Sequence, residues 1–219
     1  MKAQRKSKKG YLITLEGGEG AGKTTALQSI RAVLDANGID YVLTREPGGT
    51  REAEAIRNLL LESRHLEPLS ELLLMFASRC EHVQKVIAPV ITQGGWVVSD
   101  RYVDASYAYQ GGGRGIDLAL IEQLDQAVVG PWQADLTFLL DIEPALGMRR
   151  IRTRGQSDRI EQEKKEFFER VRTAYLEQAR RHPERFVVID ASLPADQVGE
   201  QIAYVLQRFI TQRQDQEQQ

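Results

Sequence analysis

Cysteine and histidine are nearly absent: one cysteine, Cys80, and three histidines in 219 residues. That excludes an internal disulfide and any cysteine-based zinc site, and it makes metal clusters an unpromising expectation. Long apolar runs are missing too. None approaches the ~20 residues that a membrane-crossing helix needs. Charge of one sign is balanced away, with 29 Lys and Arg against 31 Asp and Glu, which argues against a dedicated nucleic-acid binder. The basic stretch Met1–Lys9 is followed by no apolar segment of signal-peptide length. What remains is ordinary globular composition, 42% hydrophobic and 27% charged, so collagen-like, wholly disordered and disulfide-scaffold classes are excluded. The expectation is a soluble, cytoplasmic protein with neither membrane nor nucleic acid as partner.

Apolar runs alternate with helical patterns, the signature of an α/β domain with a parallel sheet. Strands are expected at Tyr11–Glu16, Tyr41–Thr44, Trp96–Asp100, Leu136–Ile142 and Phe186–Asp190. Leu27, Ile30 and Leu34 recur at helical spacing until Asn37-Gly38 stops the helix. Four of the strand-like runs end in or beside a charge: Glu16, Arg45, Asp100 and Asp141. In an open α/β sheet, ligands bind outside the carboxyl ends of the strands, so these positions are candidates for chemistry. From about Leu69 to Ile91 a helix is expected, with a stripe of Leu69, Leu73, Phe76, Cys80, Val83, Ile87 and Val90. A stripe that continuous serves either the core or a self-association face. Val198, Ile202, Val205 and Phe209 predict a C-terminal amphipathic helix. One domain is expected over residues 11–210, between a basic disordered tail (1–10) and a frayed polar tail (211–219). The three histidines, His65, His82 and His182, are expected on the surface.

Gly17-Gly18-Glu19-Gly20-Ala21-Gly22-Lys23-Thr24 fits G-x-x-x-x-G-K-[ST] at every fixed position, after a predicted strand and at the start of a predicted helix. Glycines let successive backbone N–H groups curl inward around phosphate oxygens, and the helix N-terminus adds its positive end. Lys23 is placed to reach the β- and γ-phosphates and Thr24 to coordinate Mg²⁺. The loop specifies a nucleoside triphosphate but not a reaction. No N-K-x-D guanine-reading motif occurs.

Three further clusters narrow the choice. Thr44-Arg45-Glu46-Pro47-Gly48-Gly49-Thr50 follows the second strand. Asp100-Arg101-Tyr102 follows the third, trailed by Ser106, Tyr109, Gln110 and Gly111-Gly112-Gly113-Arg114-Gly115. The last, at residues 149–161, carries Arg149, Arg150, Arg152, Arg154 and Arg159 around Gly155. An arginine-rich segment with a central glycine suits a lid that closes over a phosphoryl transfer, where negative charge spreads over the equatorial oxygens. Arg45 and Arg101 suggest a second, anionic substrate, because the planar guanidinium binds phosphate bidentately. The residues describe a kinase whose acceptor is itself phosphorylated.

Taken together, the four motifs resemble those of the thymidylate kinase family. The loop from Leu15 to Thr25, Thr44–Thr50, Asp100-Arg101-Tyr102 with Ser106-x-x-Tyr109-Gln110-Gly111, and Asp158-Arg159-Ile160-Glu161 occur in family order. The resemblance implies a P-loop nucleoside monophosphate kinase-like fold, a five-stranded parallel sheet flanked by helices with a small lid. It implies transfer of the ATP γ-phosphate to thymidine monophosphate in dTTP biosynthesis, with Mg²⁺ at Thr24 and Asp100. Lys23 and the loop backbone, Gly17 through Thr24, would hold ATP, and Arg45 and Arg101 would clamp the acceptor phosphate. Glu19 would bind the acceptor 3′-hydroxyl. Arg79, Ser106 and Gln110 would read the thymine edge, and Tyr109 would crowd C2′ against ribose. Phe76, or else Met75, would stack on the base. Because Gly20 is not basic, a lid arginine, first Arg154 and then Arg150 or Arg152, would supply transition-state charge, as in the bacterial pattern. A homodimer through the 69–91 helix is also implied.

Overall fold

Residues 10–152 and 159–217 are described by the computed structural model of the chain. Five strands form one sheet: β1 (Tyr11–Gly17), β2 (Tyr41–Arg45), β3 (Trp96–Asp100), β4 (Leu136–Asp141) and β5 (Phe186–Asp190). All pair in parallel, in the order β2-β3-β1-β4-β5. The three inner strands read as nearly unbroken apolar runs because helices cover both faces. Edge strand β2, by contrast, leaves Val42 and Leu43 exposed.

One face is covered by α1 (Lys23–Ala36) and α9 (Ala195–Glu217), whose Ile30, Leu34, Ile202 and Leu206 pack on Ile13, Leu15 and Phe138. α9 runs on through the polar residues beyond Thr211 as far as Glu217. The opposite face takes α3 (Pro68–His82), α6 (Leu118–Val128) and α8 (Lys165–Arg181). Between them lie α2 (Arg51–Glu62), α4 (Ala88–Thr92), the single turn α5 (Val103–Ser106) and α7 (Pro144–Arg152). The register sets Leu15 and Arg45 both opposite Asp100, and Glu16 opposite Leu139. The charged strand ends therefore share one edge of the sheet, as the sequence predicts.

The long helical stripe does not stay on one face. α3 passes through a wide π turn, Val83–Ile87, before α4. Phe76, Val83 and Ile87 are buried, whereas Leu69 and Leu73 are about half exposed, at 50% and 49%, and Cys80 is exposed. The core takes a neighbouring line, Leu72, Phe76 and Val83. A 3.5-residue stepping drifts on a 3.6-residue helix, so the sequence stripe splits between core and surface.

Candidate active site

Strand β1 ends in Gly17, and the chain then curls through Gly18–Gly22 into α1, with Gly22 in the left-handed region at φ 88°. The Lys23 ammonium lies back over this loop and donates to the Gly17 and Gly18 carbonyls at 3.4 Å each. Burial, and then the nearby Arg101, push the Lys23 pKa down, against Glu19, Asp100 and Glu16.

Directly beside the loop, Glu19 Oε1 accepts from Arg101 Nη2 at 2.5 Å and from the Tyr109 hydroxyl at 2.8 Å. The Arg101 guanidinium also lies over the Tyr109 ring, 4.7 Å from its centroid. Burial would raise the Glu19 carboxyl, but Arg101, Lys23 and the Tyr109 hydroxyl hold it low. Glu19, Lys23, Arg101 and Tyr109, four residues singled out in the sequence, thus converge at the carboxyl edge of β1 and β3. Asp100, at the end of β3, has a buried Oδ1 with no hydrogen-bond partner among the described residues. Thr24 is exposed at the start of α1.

A second group lies on α3 and the segment after β3. Arg79 is 1% exposed. Its Nε donates to Glu46 at 2.7 Å, Nη1 to the Ser106 hydroxyl at 3.0 Å and Nη2 to the Tyr102 carbonyl at 3.1 Å. Glu46 also bonds His82 Nδ1 at 2.9 Å, and His82 Nε2 meets the Thr44 hydroxyl at 2.7 Å. His82 is therefore fully buried, contrary to the surface position expected for it. Sequence spacing could not disclose this, because its partners come from β2 and the loop that follows it. Phe76 is 2% exposed, with Arg79 stacked 4.7 Å from its ring centroid, while Met75 is half-buried.

Tyr109 and Gln110 belong to a π-helical segment, Tyr107–Gly113, an irregularity that recurs at functional sites. Gln110 donates its amide to Glu71 at 2.9 Å. Glu71 also accepts from Arg114 and from Arg159 Nη2, the latter at 2.7 Å. Burial would raise the Glu71 carboxyl, but Gln110, Arg114 and Arg159 keep it low. An ionised carboxylate only accepts hydrogen bonds, so the Gln110 –NH₂ must face it. That leaves Gln110 Oε1 buried and without a partner among the described residues.

The remaining expectations disperse. Arg45 is exposed and pairs with Glu54 at 2.9 Å. Arg150, on α7, donates to the Ala191 carbonyl at 2.9 Å, next to β5. Arg154 and the Arg152 side chain lie outside the described residues. Four participants escaped the sequence reading: Glu46, Glu71, Tyr175 and Gly147. The last packs α7 on the phosphate loop so closely that a Cβ on Gly147 would collide with the Glu19 carbonyl, and one on Gly20 with the Gly147 carbonyl. This contact also explains why position 20 carries no side chain. Among these, only Glu46, inside the Thr44–Thr50 motif, had a signal in the sequence.

A family model described as thymidylate kinase matches residues 15–202. The thymidylate kinase of Hahella chejuensis (strain KCTC 2396) is 50% identical over 198 residues, covering 90% of this chain and 95% of that protein. That of Nitrosospira multiformis is 50% identical over 191 residues, covering 87% and 93%. Among solved structures, the thymidylate kinase of Ehrlichia chaffeensis superposes with a TM-score of 0.74 at 36% identity, covering 90% of this chain and 98% of that one.

Proposed function

The chain belongs to the thymidylate kinase family, and from that premise we propose how its own residues carry the ATP-dependent phosphorylation of thymidine monophosphate. The observation that supports the assignment best is the convergence of Glu19, Lys23, Arg101 and Tyr109 beside the glycine-rich loop. ATP lies with its phosphates along Gly17–Thr24 and the α1 N-terminus, where Lys23 leaves the loop carbonyls for the β- and γ-phosphates. Arg101 holds the acceptor phosphate against the loop, and Arg45 leaves Glu54 to join it. Glu19, kept ionised by its cations, accepts from the acceptor 3′-hydroxyl, and Tyr109 crowds C2′.

Base recognition follows from the buried donors and acceptors. Arg79 is rigidly fixed by Glu46 and Tyr102, so its remaining N–H groups and the Ser106 hydroxyl face a fixed edge. The unpartnered Gln110 Oε1 is suited to the ring N–H of thymine, which cytosine lacks at that position. The Phe76 ring is already covered by Arg79, which favours the half-buried Met75 as the side chain lying against the base.

The exposed Thr24 hydroxyl and the orphaned Asp100 oxygen are hard oxygen donors that fit Mg²⁺. When bound, the ion neutralises charge on the transferring phosphoryl group. Arginines of the 149–161 segment supply the rest, Arg154 foremost. No strong base is needed, since positioning and charge neutralisation carry most phosphoryl transfer. No helix among the described residues is long and apolar enough to cross a membrane, and we place the enzyme in the cytoplasm. The exposed Leu69 and Leu73 of α3 support a homodimer through that helix.

ADP release from Mg-ATP, measured against a panel of nucleoside monophosphates, tests the assignment. Strong stimulation by thymidine monophosphate is expected. Equal, weak hydrolysis with every acceptor would overturn it and turn attention to protein partners.

A further inference from the structure

Glu16 is an anomaly in the central strand. Leu12, Thr14 and Glu16 point to the same side of β1, into the layer beneath α3, α5 and α8, where an apolar residue is expected. Its side chain is 0% exposed, and enclosing a carboxyl is costly unless partners compensate. Glu16 makes no direct hydrogen bond to the side chains assigned to substrates above. Its partners explain its presence instead.

Arg101 has a positive φ of 67°, the one non-glycine residue among those described to do so. For a side-chain-bearing residue that conformation is strained, so its surroundings must enforce it. Three hydrogen bonds do this. The Arg101 N–H donates to the Leu15 carbonyl at 2.9 Å, and its carbonyl accepts from the Ser99 hydroxyl at 2.7 Å. The next N–H, that of Tyr102, donates to Glu16 Oε1 at 2.7 Å. The other carboxyl oxygen, Oε2, accepts from the Tyr175 hydroxyl at 2.7 Å. That hydroxyl accepts in turn from Arg101 Nη1 at 3.3 Å. One buried carboxyl thus grips both ends of Arg101: the backbone that follows it and, through a tyrosine on α8, its guanidinium. Tyr175 itself is 1% exposed and stacks edge-on against Tyr109, 6.2 Å between centroids.

We propose that Glu16 and Tyr175 are positioning residues for Arg101, forcing its left-handed backbone and fixing its guanidinium over the phosphate loop. The proposal builds on the assignment of Arg101 to the acceptor phosphate. It also ties that clamp to α8, the helix that follows the arginine-rich segment. A carboxyl group and a hydroxyl in this role explain why the core tolerates two polar groups where leucine and phenylalanine would fit.

The test is Tyr175→Phe, which removes the guanidinium arm and keeps the ring, with Glu16→Gln as the companion. In Tyr175→Phe the kcat/KM for thymidine monophosphate is expected to fall about tenfold, while the KM for ATP stays within about twofold. Placed in an Arg101→Ala background, the same substitution should change nothing further. A crystal structure of Tyr175→Phe should show the Arg101 guanidinium displaced from Glu19. Unaltered acceptor kinetics in a folded Tyr175→Phe, an equal loss without Arg101, or an unmoved guanidinium would each overturn the proposal. Should the unmodified enzyme ignore thymidine monophosphate while the guanidinium still moves, the substrate assignment fails and the positioning role stands.

Discussion

Four carboxyl groups are enclosed among the described residues, Glu16, Glu46, Glu71 and Asp104, and Glu16 and Glu71 part ways because of what surrounds them. Glu71 meets two arginines, Arg114 and Arg159, and is held low despite its burial. Glu16 meets a hydroxyl and an N–H. Burial, and then the nearby Asp104, push its carboxyl from the usual 4.5 up to about 8, with Arg101, Tyr175 and the Tyr102 N–H pulling the other way. Between those two values the folded chain holds a proton that the unfolded chain has released. Stability contributed at Glu16 must therefore decline as pH rises through that window, by at most ~1.4 kcal/mol per pH unit. Urea unfolding of the native protein and of Glu16→Gln at pH 5, 6, 7 and 8 checks this. The native protein should lose ground to the variant as pH climbs, and parallel profiles would show that Glu16 titrates normally. In the sequence, Glu16 is visible as a charge at a strand end. Its chemistry is not, because Tyr175 lies 159 positions away in a helix of unremarkable composition. Motif residues such as Lys23 and Arg101 are legible because their spacing is local. Glu16, Glu71 and Tyr175 act through partners that only the fold brings near.

Elements follow the same division. Strands are readable from apolar runs and glycine-bounded ends, and Trp96–Asp100 and Phe186–Asp190 fall where periodicity puts them. The two π turns, Val83–Ile87 and Tyr107–Gly113, leave no comparable trace, since a widened turn is imposed by packing and not by residue type. Nor does the glycine in the middle of α7. An exposed helix position would gain ~1 kcal/mol from Gly147→Ala by propensity alone. Here the added methyl would run into the Glu19 backbone carbonyl, which has no rotamer to swing aside, and overpacking of this kind costs ~1–3 kcal/mol. The clash should win. Gly147→Ala is expected to be less stable than the native protein by about 1 kcal/mol net, and to raise the KM for ATP, because α7 and the phosphate loop move apart. A more stable variant with an unchanged KM would show that the loop does not depend on α7. The test separates helix propensity from tertiary contact, two effects of opposite sign at one residue.

For the molecule as a whole, the sheet order gathers Glu16, Arg45, Asp100 and Asp141 along one edge, while α3 buries one side and leaves bare leucines on the other. Phe76 and Arg79 point inward. Leu69, Leu73, Ala77 and Cys80 form the exposed line at spacings of 4, 4 and 3. Solvated apolar side chains aligned along a helix are best explained by a second helix packed against them. In a homodimer this contact would stiffen α3 and with it the Arg79–Glu46–Ser106 network, so association and acceptor binding should be coupled. Leu73→Asp puts a charge into the centre of that line without touching Arg79. It should weaken self-association at least about tenfold, ~1.4 kcal/mol, read as a shift from dimer to monomer in sedimentation velocity. The affinity for thymidine monophosphate should fall with it, and the affinity for ATP should not, because the phosphate loop lies on β1 and α1. A variant that still sediments as a dimer would place the interface elsewhere. A monomer with native acceptor affinity would show that α3 holds the Arg79–Glu46–Ser106 network without a partner.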